Sequence, residues 1–196
     1  MLDLFPSCHV AVNWNMIQIM FEHLEILPDS TRQLKRGQYL FHMGDRVTSV
    51  FVVQSGEVHL IRHHKSGGSA TLQRAQPNAI LGEASLFASN YHCDAIAQSD
   101  AAIQVFSKAK FLEHLQKSPA FAISLARYLA VEVRQQRQRA EILSLKSVSE
   151  KLDAWLASNG ALPSRGTVKY VAIEIGVTPE ALYREIATRN RRSKSG

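Results

Sequence analysis

The sequence contains little cysteine and no long apolar run. Only two of its 196 residues are cysteines, Cys8 and Cys93, which are too few for a disulfide framework or for a cluster held by four thiolates. No uninterrupted apolar stretch reaches the length of about 18 residues that would indicate a transmembrane helix. The first residues also lack the basic and apolar regions of a secretory signal peptide, so we expect a cytoplasmic protein with no membrane partner.

Motifs of the common enzyme classes are absent as well. The sequence contains no P-loop, no recognisable metal-ligand spacing and no nucleophile paired with a base. We therefore predict that the protein is not an enzyme and that it has no dedicated metal site. Seven side chains are haem ligands by type only, without diagnostic spacing, and the cofactor stays unknown: His9, His42, His59, His63, His64, His92 and Cys93.

Positive charge is confined to the last third of the chain. The formal net charge is +6. Residues 1–126 contain 10 basic and 10 acidic residues, whereas residues 127–196 contain 13 basic and 7 acidic ones. A basic segment of this kind is typical of a protein that meets a phosphate backbone, and double-stranded DNA is the predicted partner. A solvated helix face would have the same composition, so charge alone does not decide between the two.

Short apolar runs separated by turn residues fill residues 31–106. Runs of this length, rich in Val, Ile and Phe, predict an antiparallel β-roll or sandwich. Two turn sequences, Ser55-Gly56 and Ser66-Gly67-Gly68, occupy hairpin positions. An amphipathic helix is predicted before the roll, over residues 13–26.

A long helix without internal Gly or Pro is predicted after the roll, over residues 119–146. Its apolar and small residues recur at spacings of three and four, as in a coiled coil. An ordinary amphipathic helix packed on its own core is the alternative; we favour a homodimer because the other faces are strongly polar. The predicted dimer interface is Leu125, Leu129, Val133, Gln136, Ala140 and Leu143.

Residues 167–190 match the requirements of a helix-turn-helix. Ala172 supplies a small side chain where two helices cross, and Gly176 supplies a turn residue that tolerates positive φ. Thr178 is a suitable N-cap for a second helix, because its hydroxyl can accept from a backbone amide. The predicted DNA-binding residues are Thr178, Glu180, Ala181, Tyr183, Arg184, Arg189 and Arg191.

Residues 30–190 resemble the cyclic-AMP receptor protein/FNR superfamily of bacterial transcription regulators. The segment LFHMGDRVTSVFVVQSGEVHLIRHHKSGG is similar to the family's roll signature, and LGEASLFASNYHCDAIA is similar to its phosphate-binding cassette. The resemblance implies an α+β fold with a β-roll sensor domain, a dimerisation helix and a helix-turn-helix, at residues 1–117, 118–146 and 147–196. It also implies a homodimer on two-fold symmetric DNA, with RNA polymerase as a further partner. The implied effector pocket is Gly82, Glu83, Ala84, Ser85, His92 and Cys93.

The sequence departs from this family at two places. The cassette arginine is missing, since no Lys or Arg occurs between Glu83 and Lys108. Burying a cyclic phosphate without a cation costs several kcal/mol, about the penalty for an unpaired ion, so we expect an effector other than cyclic AMP. A haem or gas signal, another small molecule and an effector-free roll all remain open. The tail TRNRRSKSG has no strand pattern, so we expect no β-wing after the second helix.

Two functions are consistent with the sequence. The first is a homodimeric, sequence-specific DNA-binding transcription regulator with a sensor roll. The alternative is a ligand-sensing module whose helical tail binds a protein partner.

Overall fold

A computed structural model of the chain describes residues 27–64, 67–163 and 168–192. These residues form two compact units, which we call the roll unit (described residues up to 126) and the helical unit (described residues from 127). The helix predicted for residues 13–26 lies outside the described residues, as do Cys8 and His9. None of the helices in the described ranges is long and apolar enough to cross a membrane.

The roll unit consists of two four-stranded antiparallel sheets, as expected for an α+β chain that begins with a β-roll. The first sheet has the strand order β1-β8-β3-β6 and the second has the order β2-β7-β4-β5. The strands are β1 (Ser30–Leu34), β2 (Tyr39–Phe41), β3 (Ser49–Ser55), β4 (Val58–His63), β5 (Ser69–Ala75), β6 (Ile80–Leu81), β7 (Asp94–Ala97) and β8 (Ala101–Ser107).

The core of the roll unit lies between the two sheets. It is made of inward-facing aliphatic and aromatic side chains, with Val53 and Ile103 fully buried. Phe41 stacks on Tyr91 with ring centroids 3.9 Å apart, and the Tyr91 hydroxyl donates to the carbonyl of Ser49 at 2.7 Å. The phenol therefore keeps a hydrogen bond although its ring is buried.

The two predicted hairpin turns have different roles. The loop after His63 joins β4 to β5, which pair as a hairpin. Gly56 instead connects β3 to β4, and these strands lie in different sheets. The hairpin expected at Ser55-Gly56 is therefore a crossover between sheets. Gly56 has φ +82°, and an added Cβ would lie 2.3 Å from the carbonyl oxygen of Asp100, so glycine is required there for both conformation and space.

Five helices follow the strands in the described part of the chain. They are α1 (Lys108–Lys117), α2 (Pro119–Ser144), α3 (Val148–Asn159), α4 (Val168–Glu174) and α5 (Pro179–Arg192). The Ser107 hydroxyl caps α1 by accepting from the amide of Lys110. A capping box formed by Ser147 and Glu150 begins α3, because each side chain satisfies a backbone amide at the other residue.

The core of the helical unit joins the end of α2 to α3, α4 and α5. Leu152, Ala172 and Leu182 are fully buried in it. The Trp155 indole N–H donates to a carboxylate oxygen of Glu174 at 2.8 Å, linking α3 to α4. The three short helices are thus packed as one domain around a small apolar centre.

Candidate nucleic-acid interface and effector cassette

The pair α4–α5 has the local geometry of a helix-turn-helix. Ala172 is fully buried where the two helices approach each other. Gly176 has φ +67°, and the amide of Val177 donates back to the carbonyl of Ala172 at 2.9 Å. The Thr178 hydroxyl accepts from the amide of Ala181 at 3.2 Å, as an N-cap does. The roles predicted for these residues agree with their positions.

The N-terminal half of α5 presents polar side chains to solvent. Glu180 and Arg184 are exposed, and they lie four residues apart on one face. Tyr183, beside them, is 46% exposed. Arg191 is exposed as well, seven residues after Arg184, and therefore continues the same stripe. We call Glu180, Arg184 and Arg191 the outward stripe of α5.

Arg189 differs from the sequence-based expectation. Its guanidinium bonds to Asp153 Oδ1 at 2.5 Å, to Glu185 Oε1 at 2.8 Å, and to the hydroxyl and carbonyl oxygens of Ser149 at 2.8 and 3.0 Å. Its side chain is only 29% exposed. These four acceptors lie within the helical unit, so the structure places Arg189 in an internal network and not on the outward stripe.

The residues predicted for the dimer interface separate into two groups. Leu125 is buried within this chain, with 5% of its surface exposed. The others are exposed on the remainder of α2: Leu129, Val133, Gln136, Ala140 and Leu143. Val133, at the middle of this group, is 47% exposed. The exposed members follow spacings of four, three, four and three residues, the repeat of a two-helix seam.

The cassette begins at Gly82 with a left-handed residue. Gly82 has φ +88° and precedes a single turn of 3-10 helix, Glu83–Ser85. An added Cβ at Gly82 would come within 3.3 Å of the Ser49 carbonyl oxygen. The turn thus packs closely on β3, which explains the glycine. Ala84 is exposed on this turn, whereas Ser85 is buried.

His92 closes the cassette against Ser85. Its Nδ1 lies 2.8 Å from the Ser85 hydroxyl. Partial burial lowers the pKa of His92, and the nearby Arg62 guanidinium lowers it further. The imidazole is therefore neutral at neutral pH and brings no positive charge to the cassette.

Two cations reach the cassette from outside its own segment. Arg62 on β4 donates through Nε and Nη2 to the carbonyl of His92, at 3.3 and 3.1 Å. Lys108 at the start of α1 donates to the carbonyl of Ala88 at 2.9 Å. Neither side chain was predicted from the cassette segment itself, because Arg62 lies on β4 and Lys108 lies at the start of α1. The pairing of β4 with β7, which places Ile61 opposite Asp94, brings Arg62 close to the cassette.

Cys93 and Asp94 end the cassette with little access to solvent. Cys93 is a buried free cysteine, and burial raises the pKa of its thiol to about 11. Asp94 accepts from the amide of Met43 at 2.9 Å and is flanked by His42 and His63, at 3.4 and 3.8 Å. Its carboxylate is thus already surrounded by donors of the roll.

Among the described residues, the other candidate histidines do not converge on one point. His59 bonds to Glu57 at 2.6 Å, and the amide of His64 bonds to Gly68 in the β4–β5 loop. Within the described ranges, no three His, Cys, Asp or Glu side chains are close enough together to hold a metal ion.

Comparison with known proteins identifies the roll. Residues 31–118 match the cyclic nucleotide-binding domain family. The chain is 27% identical over 122 residues to the cyclic AMP receptor protein of Thermus thermophilus, covering 62% of this chain and 56% of the relative. It is 25% identical over 130 residues to the transcriptional activator protein anr of Pseudomonas aeruginosa, covering 66% of this chain and 53% of the relative. The chain thus spans little more than half of these relatives.

The fold is similar to that of a solved structure as well. FixK2 of Bradyrhizobium japonicum superposes with a TM-score of 0.66, covering 86% of this chain and 87% of that one, at 15% identity. At this identity the match supports the fold alone. The curated relatives carry the names of regulators and not of enzymes, in agreement with the expectation from sequence. Residues 31–118 thus match a cyclic nucleotide-binding domain, and the chain is similar to transcription regulators of the cyclic-AMP receptor protein/FNR superfamily.

Proposed function

We propose that this protein is a homodimeric, sequence-specific DNA-binding transcription regulator. The observation that carries the proposal is the outward stripe of α5, which lies directly after a capped helix-turn-helix turn. The confinement of the net positive charge to residues 127–196 supports it independently.

The outward stripe has the chemistry for reading base edges. An arginine can bond to O6 and N7 of one guanine, and a glutamate can accept from a cytosine amino group. Arg184 and Glu180, one helical turn apart, would address neighbouring base pairs in the major groove. Arg191 lies about 10 Å further along the helix, at 1.5 Å per residue, and would meet phosphate. Thr178, Ala181 and Tyr183 flank these contacts.

Homodimerisation would proceed through the exposed seam of α2. Leu129 and Val133 expose apolar surface that burial against a second copy would remove from water. Two-fold pairing also supplies two recognition helices, which must lie about 34 Å apart to enter successive major grooves. A two-fold symmetric DNA site follows from that arrangement.

The roll would sense an effector other than cyclic AMP. Its cassette contains a neutral His92 where a cyclic phosphate needs a cation. Arg62 and Lys108 are close, but both already donate to carbonyls of the cassette loop. An anion would have to take these side chains from existing hydrogen bonds, which reduces its net affinity.

Selection of bound duplexes from a random pool tests the proposal directly. We expect enrichment of a two-fold symmetric site by the full chain, with affinity that falls steeply as salt rises. The selection is repeated with cyclic AMP and with haem, and a calorimetric titration measures cyclic AMP binding itself. No enrichment at low salt contradicts the DNA-binding function and favours a protein partner. A micromolar affinity for cyclic AMP contradicts the proposal that the effector is another molecule.

A further inference from the structure

We propose that Arg189 is a positioning residue that holds the recognition helix α5 on α3 through Asp153, and that it does not contact DNA. The inference rests on the proposed DNA-binding function. It assigns opposite roles to basic residues on one helix: Arg184 on the outward stripe, Arg189 as an internal clamp.

The guanidinium of Arg189 donates four hydrogen bonds to acceptors on two helices. Asp153 and both oxygen atoms of Ser149 belong to α3, and Glu185 belongs to α5 itself. Asp153 and Ser149 lie four residues apart, one turn of α3, so the planar group spans that turn. The planar fork of an arginine can serve these acceptors together, whereas the ammonium of a lysine has no such fork.

The helical face of Arg189 leads to the same assignment. Leu182, Ile186 and Arg189 recur at spacings of four and three, which places them on one side of α5. Leu182 is fully buried in the core of the helical unit, and Ile186 packs against that core. Arg189 therefore extends the inward face by one turn. Leu182 fixes the N-terminal part of α5, and the Arg189 network fixes its C-terminal part.

Substitution of Asp153 distinguishes two roles of Arg189, a phosphate contact and a positioning residue, because the two roles predict opposite changes in DNA affinity. If Arg189 simply adds positive charge near phosphate, removing the Asp153 carboxylate leaves more net positive charge and strengthens DNA binding. If Arg189 positions α5, removing that carboxylate loosens the helix and weakens binding. A small rotation of α5 would displace Glu180 and Arg184 from the base edges they must reach.

The experiment measures the affinity of the full chain for its selected duplex across a salt series. The variants are Asp153→Asn, Arg189→Gln, Arg189→Lys and the double variant Asp153→Asn/Arg189→Gln. Arg192→Gln is the matched control, because Arg192 is exposed in the last turn of the same helix. Circular dichroism establishes that each variant is folded at the assay temperature. If Arg189→Gln does not fold, the test depends on Asp153→Asn, which keeps an acceptor oxygen at that position.

We expect Asp153→Asn, Arg189→Gln and Arg189→Lys each to weaken binding about tenfold, as loss of a charge-assisted hydrogen bond does. The salt slope stays as in the wild type, the double variant is no weaker than Arg189→Gln, and the preferred base at the Arg184 position becomes less distinct. Arg192→Gln removes the same charge from an exposed side chain and keeps the base preference.

Three results overturn the inference. In the first, Asp153→Asn binds as tightly as the wild type or more tightly. In the second, Arg189→Lys retains wild-type affinity while Arg189→Gln lowers the salt slope by about one, as a phosphate contact does. In both cases the wild type still binds DNA, so the proposed function stands. A wild-type chain that binds no DNA removes the function and the inference together.

Discussion

Basic side chains of the roll unit bond mainly to that unit's own oxygen atoms, whereas those of α5 divide between two faces. Arg32, Arg62 and Lys108 donate to backbone carbonyls of the roll, and Lys35 pairs with Asp100 at 2.7 Å. These four cations are therefore bonded to acceptors of the roll itself. On α5, the inward Arg189 is used in the same way, whereas Arg184 and Arg191 face outward.

This difference shows why a charge count cannot identify a DNA-binding residue. A guanidinium that already donates to several intramolecular acceptors has few donors left for phosphate, whatever its place in the sequence. The face of the helix on which a basic residue lies provides the missing information. Residues seven apart share a face, so Arg184 lies on the outward face with Arg191, whereas Arg189 lies on the inward face with Leu182.

The largest effect is expected from Val133→Asp on the exposed seam of α2. In a homodimer the substitution buries two unpaired carboxylates against each other, which costs about 3–5 kcal/mol and raises the dimer dissociation constant more than a hundredfold. Sedimentation equilibrium and DNA affinity should change together. Arg134→Asp, at the exposed neighbouring residue, is the control and should leave the dimer intact. A monomeric wild type, or a Val133→Asp variant that is still dimeric, contradicts the seam.

The next largest effect is expected from Arg184→Ala on the outward stripe. Loss of a bidentate contact to guanine costs about 1–3 kcal/mol and relaxes base preference at one position. Repeating the duplex selection with this variant measures both quantities, with Arg191→Ala as the control for a phosphate contact. An unchanged preferred sequence would rule out base reading by Arg184 and would leave the two faces of α5 without a functional difference.

Gly176→Ala should destabilise the helical unit by about 1–2 kcal/mol, because φ +67° is unfavourable for a residue with a Cβ. The new methyl group would also lie 2.5 Å from Leu143 Cδ2, which must move aside. Thermal unfolding measures the loss. No loss of stability at Gly176→Ala would contradict the strained turn.

Local patterns predicted the elements of this fold well. The change from short Val- and Ile-rich runs to helical spacing after Phe106 corresponds to the end of β8 at Ser107. Gly176 and Thr178 were recognisable because a turn and an N-cap depend on the residue's own chemistry. Such features need no knowledge of distant contacts.

Features that depend on strand order or on contacts between helices could not be predicted from local sequence patterns. Ser55-Gly56 has the composition of a hairpin, yet β3 and β4 enter different sheets because each pairs with a strand far along the chain. Arg62 lies about 20 residues before the cassette, and only the β4–β7 pairing brings it to His92. Arg189 was assigned by charge, although its spacing from Leu182 already indicated the inward face.

The smallest effect is expected from the titration of His92 in the roll. Its folded-state pKa is lower than the ordinary value of 6.5, so the unfolded state binds the proton more readily. The stability contributed by neutral His92 is therefore present above about pH 6.5 and is lost as the pH falls through the folded-state pKa. Thermal unfolding of the wild type from pH 8 to pH 5 should reveal this loss as a lower unfolding midpoint, and His92→Gln should reduce that change. If the two curves remain parallel over the whole range, the Ser85–His92 contact does not depend on a neutral ring. The roll would then tolerate a positive charge at its cassette after all, and the case against a phosphate-bearing effector would lose its main support.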